Sequence, residues 1–214
     1  MARRLASKQY ISFPQRFIIY MDCMTLKRPA LSLSQARMGD LDISSPFFAS
    51  FVSSYLPYYY EWFEKKHNDK VLIVSEDYNI RGLLKLKLEN PDEDYSDISP
   101  IFEPLKRLKI CSLKVEPNDA DISSIFMRTT IATAIARNVD EIYATITSDS
   151  DYKIKLLNYL HKWGFRRVGQ KFSYGLLEDV VALRTSAISD SIVKSVIDEY
   201  NSSSDKKGLL RYDF

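Results

Sequence analysis

Cysteine and histidine are nearly missing from this chain, with two of each in 214 residues. Cys23 and Cys111 stand far apart, so nothing suggests a disulfide framework, and a reducing cytoplasm is the expected setting. Cys111 lies in an apolar, extended run, where a free cysteine behaves as a small core residue. His67 and His161 have no neighbouring ligands at metal-binding spacing, which argues against a zinc site. No apolar run is long enough to cross a bilayer. An excess of one charge is missing too: 30 basic residues against 28 acidic ones leave +2, with the signs mixed along the chain. That balance excludes the footprint of a dedicated nucleic-acid binder. Glycine is scarce, and none falls between Gly82 and Gly164.

The chain does hold a large apolar content, 45% hydrophobic and 13% aromatic, enough for one sizeable core. The most informative stretch is 108–147, which reads as strand, tight loop, helix, strand. Residues 108–115 are apolar and extended, and Pro117-Asn118-Asp119 breaks the run, since the residue before a proline is pushed away from helical dihedrals. Asp121 is the expected helix cap, because its carboxylate can accept first-turn amide hydrogens. Ile122, Ile125, Phe126, Met127, Ile131, Ala134 and Ile135 occupy more than one helical face, which predicts burial on two sides. Asn138 sits where a left-handed C-terminal cap falls. Ile142, Ala144 and Ile146 then alternate with Tyr143, Thr145 and Thr147, a strand period. A strand feeding a helix N-terminus is a natural anion site, since its amides point at whatever docks there.

This stretch resembles the central motif of the GNAT acetyltransferase superfamily, and the similarity spans roughly 31–184. Residues 30–48 look like the first strand and helix of that fold. Residues 70–90 look like its second and third strands, joined around Asp77-Tyr78-Asn79. Residues 153–170 look like its last helix, ending in Gly164-Phe165 before a sixth strand, and 180–184 would be the seventh. The resemblance implies an α/β fold: a mixed, mostly antiparallel central sheet of six to seven strands flanked by helices. It implies acetyl-CoA as co-substrate, with Leu113, Lys114, Val115, Asn118, Asp119, Ala120, Asp121, Ile122, Ser123 and Ser124 as the residues that hold it. It also implies attack of an amine on the thioester, with an oxyanion-stabilising amide near Leu113 or Lys114. Glu116 is the candidate general base by position, and Tyr159 the candidate acid that protonates the thiolate. The family's tyrosine position itself is filled by Leu160 here.

The pyrophosphate loop departs from the family pattern. Its two glycine positions read Asp119 and Ser123, and Asp119 and Asp121 place carboxylates where phosphate would sit. Like charges at contact oppose binding, whereas a helix dipole at an exposed site favours an anion by only about 0.3–1 kcal/mol.

The flanks carry further candidates. The aromatic segment 46–63 is expected to form two helices broken at Pro57, the first capped by Ser44 or Ser45 with Pro46 at its first position. Its rings read as core packing, as the wall of an acceptor groove, or as a partner surface. The acidic run 89–97 is expected to be a solvated loop that would attract a cationic acceptor if it borders the groove. Lys106, Arg107 and Lys109 read as a strand-edge solubility device or as cations reaching phosphate. Residues 185–214 predict one amphipathic helix, with Ile188, Ile192, Val193, Val196 and Ile197 on one face, then a loose end. Its first use is packing on its own domain, its second a homodimer contact. Residues 1–28 are basic with one acidic residue, Asp22, and fit a transit peptide, a tail, an added strand, or sequence upstream of a start at Met21 or Met24. A tail or an added strand is favoured.

The domain reading is therefore an extension over 1–29, an acetyltransferase-like domain over 30–184, and a C-terminal helix and tail over 185–214. The expected function is acetyl transfer from acetyl-CoA to a primary amine of a small molecule, a protein or a charged tRNA. The alternative is a non-catalytic module of the same fold that has lost tight coenzyme binding and acts through a partner.

Overall fold

Eight segments with alternating or continuous burial join into one sheet. The computed structural model describes residues 31–55, 58–117, 119–147, 151–173, 175–202 and 214, all within the unit Leu31–Phe214. The strands are β1 (Ser32–Arg37), β2 (Lys70–Glu76), β3 (Asn79–Glu89), β4 (Ile98–Ser99), β5 (Arg107–Val115), β6 (Glu141–Thr147), β7 (Arg166–Ser173) and β8 (Leu176–Arg184). The helices are α1 (Ala49–Tyr55), α2 (Tyr59–Lys65), α3 (Ala120–Ala136), α4 (Asp151–Lys162) and α5 (Asp190–Ser202). The sheet order is β1-β2-β3-β5-β6-β8-β7-β4, and every pairing is antiparallel except β5 with β6. The fold class matches the sequence expectation, with one strand more than expected among the described residues. The extra one is β4, two residues emerging from the acidic segment.

Local chemistry explains the turns. Asp77 and Tyr78 take φ of 48° and 67°, so β2 and β3 are joined by a two-residue hairpin with both central residues left-handed. Asn138 sits at φ 49°, and the bonds Val139 N–H to Ala134 C=O and Asn138 N–H to Ile135 C=O close α3 in a Schellman motif. Gly164 at φ 96° ends α4 in the same way, with the Phe165 N–H on the Leu160 carbonyl. Some boundaries differ from expectation. Helix α3 begins at Ala120 with Asp119 as its N-cap residue, two residues earlier than a cap at Asp121, and no side chain of the N-cap residue caps it. Pro46 opens a short 3₁₀ turn, Pro46–Phe48, ahead of α1. Strand β8 starts at Leu176 rather than Val180, because β7 pairs with it back to Ser173.

The sheet has two covered faces. On one, α3, Leu160 of α4 and Val196 of α5 pack over Leu72, Leu84, Leu108, Ile142 and Val181. Helix α3 is buried around most of its circumference, as expected, and its buried Thr130 and Thr133 bond back to the carbonyls of Phe126 and Thr129 at 2.8 and 2.7 Å. Helix α5 packs on this core, which was the first of its two expected uses. On the other face, Phe47, Phe48, Tyr59 and Phe63 cover Val71 and Leu83 at one end. Tyr95, Ile98 and Phe102 cover Tyr143, Val180 and Ala182 at the other.

Gly82 marks the tightest contact between α3 and the sheet. A Cβ there would lie 2.6 Å from Ile122 Cγ2 and 2.8 Å from Phe126 Cε2, both fully buried. Gly82→Ala is therefore expected to cost about 1–3 kcal/mol by overpacking, although alanine usually suits a strand better than glycine. Chemical denaturation checks this, and a gain in stability would show that α3 retreats freely from β3.

Candidate functional site

Strands β5 and β6 pair only over Arg107–Ile110 and Glu141–Ala144. Beyond that, β5 stays with β3 as far as Val115, and β6 stays with β8 as far as Thr147. The ladder between the two strands stops, and a gap opens between residues 111–115 and 145–147. It starts at a bulge: Lys85 pairs with Ser112 and Leu86 with Ile110, so Cys111 is the extra residue. The bulge resets the alternation. Leu108 and Ile110 face α3 before it, and Leu113 and Val115 after it. Lys114 leaves on the opposite face, toward Phe47 and Phe51.

The backbone follows the same logic. The Glu116 N–H donates to the Arg81 carbonyl at 2.8 Å, so residues 116 and 114 turn their backbone groups to β3. Backbone groups alternate sides along a strand, which turns those of Leu113 and Val115 toward the gap. Of the two amides expected to meet a developing oxyanion, Leu113 has the right orientation and Lys114 does not.

The gap leads to the head of α3. There one of the loop's two carboxylates is paired. Asp119 Oδ2 accepts from Arg81 Nη2 at 2.8 Å and from Nε at 3.1 Å. Arg81 is itself the extra residue of a second bulge, between Val74↔Gly82 and Ser75↔Ile80, which aims it out of the strand's regular alternation. Glu76 is a more distant partner at 3.7 Å. The Asp119 charge is thus balanced locally, and Asp121 is exposed to solvent. Ile122 is fully buried beneath Gly82 and offers only its backbone. The Ser123 N–H bonds to the Asp119 carbonyl at 3.2 Å, which leaves the amides of Ala120, Asp121 and Ile122 without an intrahelical acceptor. Ser124 is half-buried in the same turn, and Asn118 lies outside the described residues.

Tyr159 reaches this turn from α4. Its hydroxyl donates to the Ser123 carbonyl at 2.6 Å, and its ring meets Trp163 edge-on at 6.4 Å. Burial pushes the phenol up to about 12. Leu160, the neighbour at the family's tyrosine position, is sealed in the core at 1% exposure. Glu116 is half-buried at the end of β5, and its register places it on the Lys114 face. The structure therefore gathers residues 113–116, 119–124 and Tyr159 around one end of the sheet.

Other candidates fall elsewhere. Arg107 sits at the opposite end of β5, about 26 Å from Val115 at roughly 3.3 Å per residue, and is 1% exposed. Lys106 bonds the Arg137 carbonyl at 2.5 Å at that same end. Neither can reach phosphate at the head of α3, and a buried Arg107 is no solubility device. The acidic segment is also not simply a solvated loop. Glu89 is 2% exposed and accepts from Tyr143 at 2.7 Å and Tyr95 at 3.1 Å, with Lys87 at 3.0 Å. Burial and the Glu89 charge raise both phenols. A pocket of ≈350 Å³ beside Phe102, Arg107, Glu141 and Arg184, and one of ≈220 Å³ beside Arg128, Trp163 and Ser195, both lie away from the gap. Sequence reasoning missed Arg81, whose only signal is its place before the glycine that meets α3.

No family model matches the sequence, and no curated protein sequence matches it. Solved structures do match by shape. Ard1 from Thermoplasma volcanium is similar at TM-score 0.50 and 9% identity, over 72% of this chain and 97% of that one. NAA60 from Arabidopsis thaliana, solved in complex with acetyl-CoA, is similar at TM-score 0.50 and 17% identity, over 72% of this chain and 99% of that one. Likeness at such identities speaks for the backbone arrangement alone. The chain has the fold of the GNAT acetyltransferases.

Proposed function

We propose that this chain is an N-acyltransferase that moves an acetyl group from acetyl-CoA to a primary amine. The observation that carries the reading is the gap between β5 and β6, which opens at the Cys111 bulge and runs to the first-turn amides of α3. A gap edged by free strand backbone suits an extended amide-bearing arm, and the helix head suits an anion. Residues 30–184 would be the transferase domain, with α5 as an added cover, and a reducing cytoplasm remains the proposed setting.

The bound thioester supplies the activated acyl group. Leu113 turns its amide to the gap and would stabilise negative charge on the acyl oxygen. Glu116 would take the proton from the incoming ammonium, directly or through water. Tyr159 would hold the proton that the departing sulfur needs. Rings of the segment 46–63 would form one wall of the acceptor side, where Tyr58 and Tyr60 are about half exposed. A second reading, a non-catalytic module of the same fold, draws support from the glycine-free loop and from an Arg81 already held by Asp119.

Acetyl-CoA calorimetry on the unmodified chain and on Asp119→Asn separates the two. The variant frees Arg81 beside the helix head, and one unit charge near contact is worth about 1 kcal/mol in a water-like dielectric, or about fivefold in Kd. Its cost in stability is small, about 0–1 kcal/mol for a partly exposed pair. Measurable binding that tightens several-fold in Asp119→Asn is expected. Absence of binding in both proteins would reject the enzyme reading.

A further inference from the structure

Lys114 has surroundings unlike those of a surface lysine. It stands on the part of β5 that edges the gap, and its Nζ donates to the Phe47 carbonyl and, at 2.6 Å, to the Ser50 hydroxyl. The same nitrogen lies 4.8 Å from the Phe47 ring centroid and 5.2 Å from that of Phe51. Among the described residues no carboxylate forms a salt bridge with it. Burial lowers its pKa below that of an ordinary lysine, and the charge of Glu116 opposes this less strongly. A larger share of neutral amine at a given pH follows, and the neutral amine is the nucleophile.

We propose that Lys114 is an internal acceptor of acyl transfer, a modification site acylated by the chain's own acyl-CoA thioester. The inference rests on the reading of the β5–β6 gap as the thioester channel. The Nζ lone pair attacks the thioester carbonyl carbon. The C–N bond forms, the C–S bond breaks, and the bonding pair leaves on sulfur. The nitrogen gives up its proton to Glu116 or water, and the sulfur departs as the thiol after taking a proton from Tyr159 or water. No oxidant or reductant is involved. The product amide carries no charge, so its attraction to the Phe47 and Phe51 rings is lost, while Phe47 and Phe48 stay packed on Val71 and Leu83.

The test incubates the full chain with acetyl-CoA and follows each lysine by peptide mass spectrometry, with coenzyme binding measured in parallel. Alignment at a bound thioester is expected to label Lys114 at least about tenfold faster than the exposed Lys155 and Lys162, and unfolding in urea should erase that preference. In Lys114→Arg, which keeps a cation under the rings, the label should vanish from that peptide and should not move to Lys109. Coenzyme binding with Lys114 unlabelled, or labelled no faster than Lys155, overturns the inference and leaves the transferase reading standing. Failure of both binding and labelling removes both.

Discussion

Arg107→Ala is expected to destabilise the fold by about 3–5 kcal/mol, the range for breaking a buried ion pair from one side. Arg107 is 1% exposed and serves several partners at once. Its Nε donates to Glu141 Oε1 at 2.8 Å, its Nη1 donates to the Glu103 carbonyl at 2.8 Å, and its guanidinium lies 4.2 Å from the Phe102 ring centroid and 4.9 Å from that of Tyr95. Truncation leaves Glu141, itself 5% exposed, with Arg184 Nε at 2.8 Å as its remaining cation. It also opens a void beneath Phe102. The double change Arg107→Met/Glu141→Leu removes both charges and fills the space, and it should recover most of the loss. Urea denaturation of the three proteins decides the matter. A cost below about 1 kcal/mol for Arg107→Ala would mean that Arg184 satisfies Glu141 unaided.

Tyr159→Phe is expected to lower kcat by about 10²–10⁴-fold, the usual range for a general acid, with little change in KM. The phenyl ring keeps its packing, and loss of the bond to the Ser123 carbonyl should cost only about 0.5–1.5 kcal/mol of stability. The two effects separate a chemical role from a structural one. Burial supplies the pH signature. With the phenol raised to about 12, the group stays protonated well past neutrality, so the rate should show no falling limb from it between about pH 7 and 10. The folded pKa lies above the unfolded value near 10, so any stability linked to this shift is present in full below that value. It is lost as pH rises through about 12. A limb near pH 9 that disappears in Tyr159→Phe would keep Tyr159 as the acid but contradict its raised pKa, and an unchanged kcat would move the acid elsewhere.

Several features of the fold were legible in the chain because they are local. Asp77-Tyr78 between two apolar runs reads as a hairpin, and both residues are indeed left-handed. Asn138 and Gly164 end helices where short-range hydrogen bonding needs a left-handed residue. The many-sided apolar character of α3 follows from its spacing, and the buried residues Ile122, Phe126, Met127 and Ile131 bear it out. The candidate site was less legible. Asp119 in the sequence is a charge facing phosphate. In the fold it is half of an ion pair with a residue 38 positions away. Glu89 and Arg107 sit in runs that look solvated or edge-like, yet distant tyrosines, rings and carboxylates bury both.

What the sequence by itself determined is the succession of elements and their capping, since dihedral preference and 2- or 3.6-residue periodicity act over a few residues. The tertiary structure alone decided which face each site residue occupies. One extra residue at Cys111 and one at Arg81 shift the alternation of β5 and β3. Those shifts send Lys114 beneath the Phe47 and Phe51 rings and Arg81 onto Asp119. A bulge is fixed by pairing between strands far apart in the chain, and no local pattern encodes it.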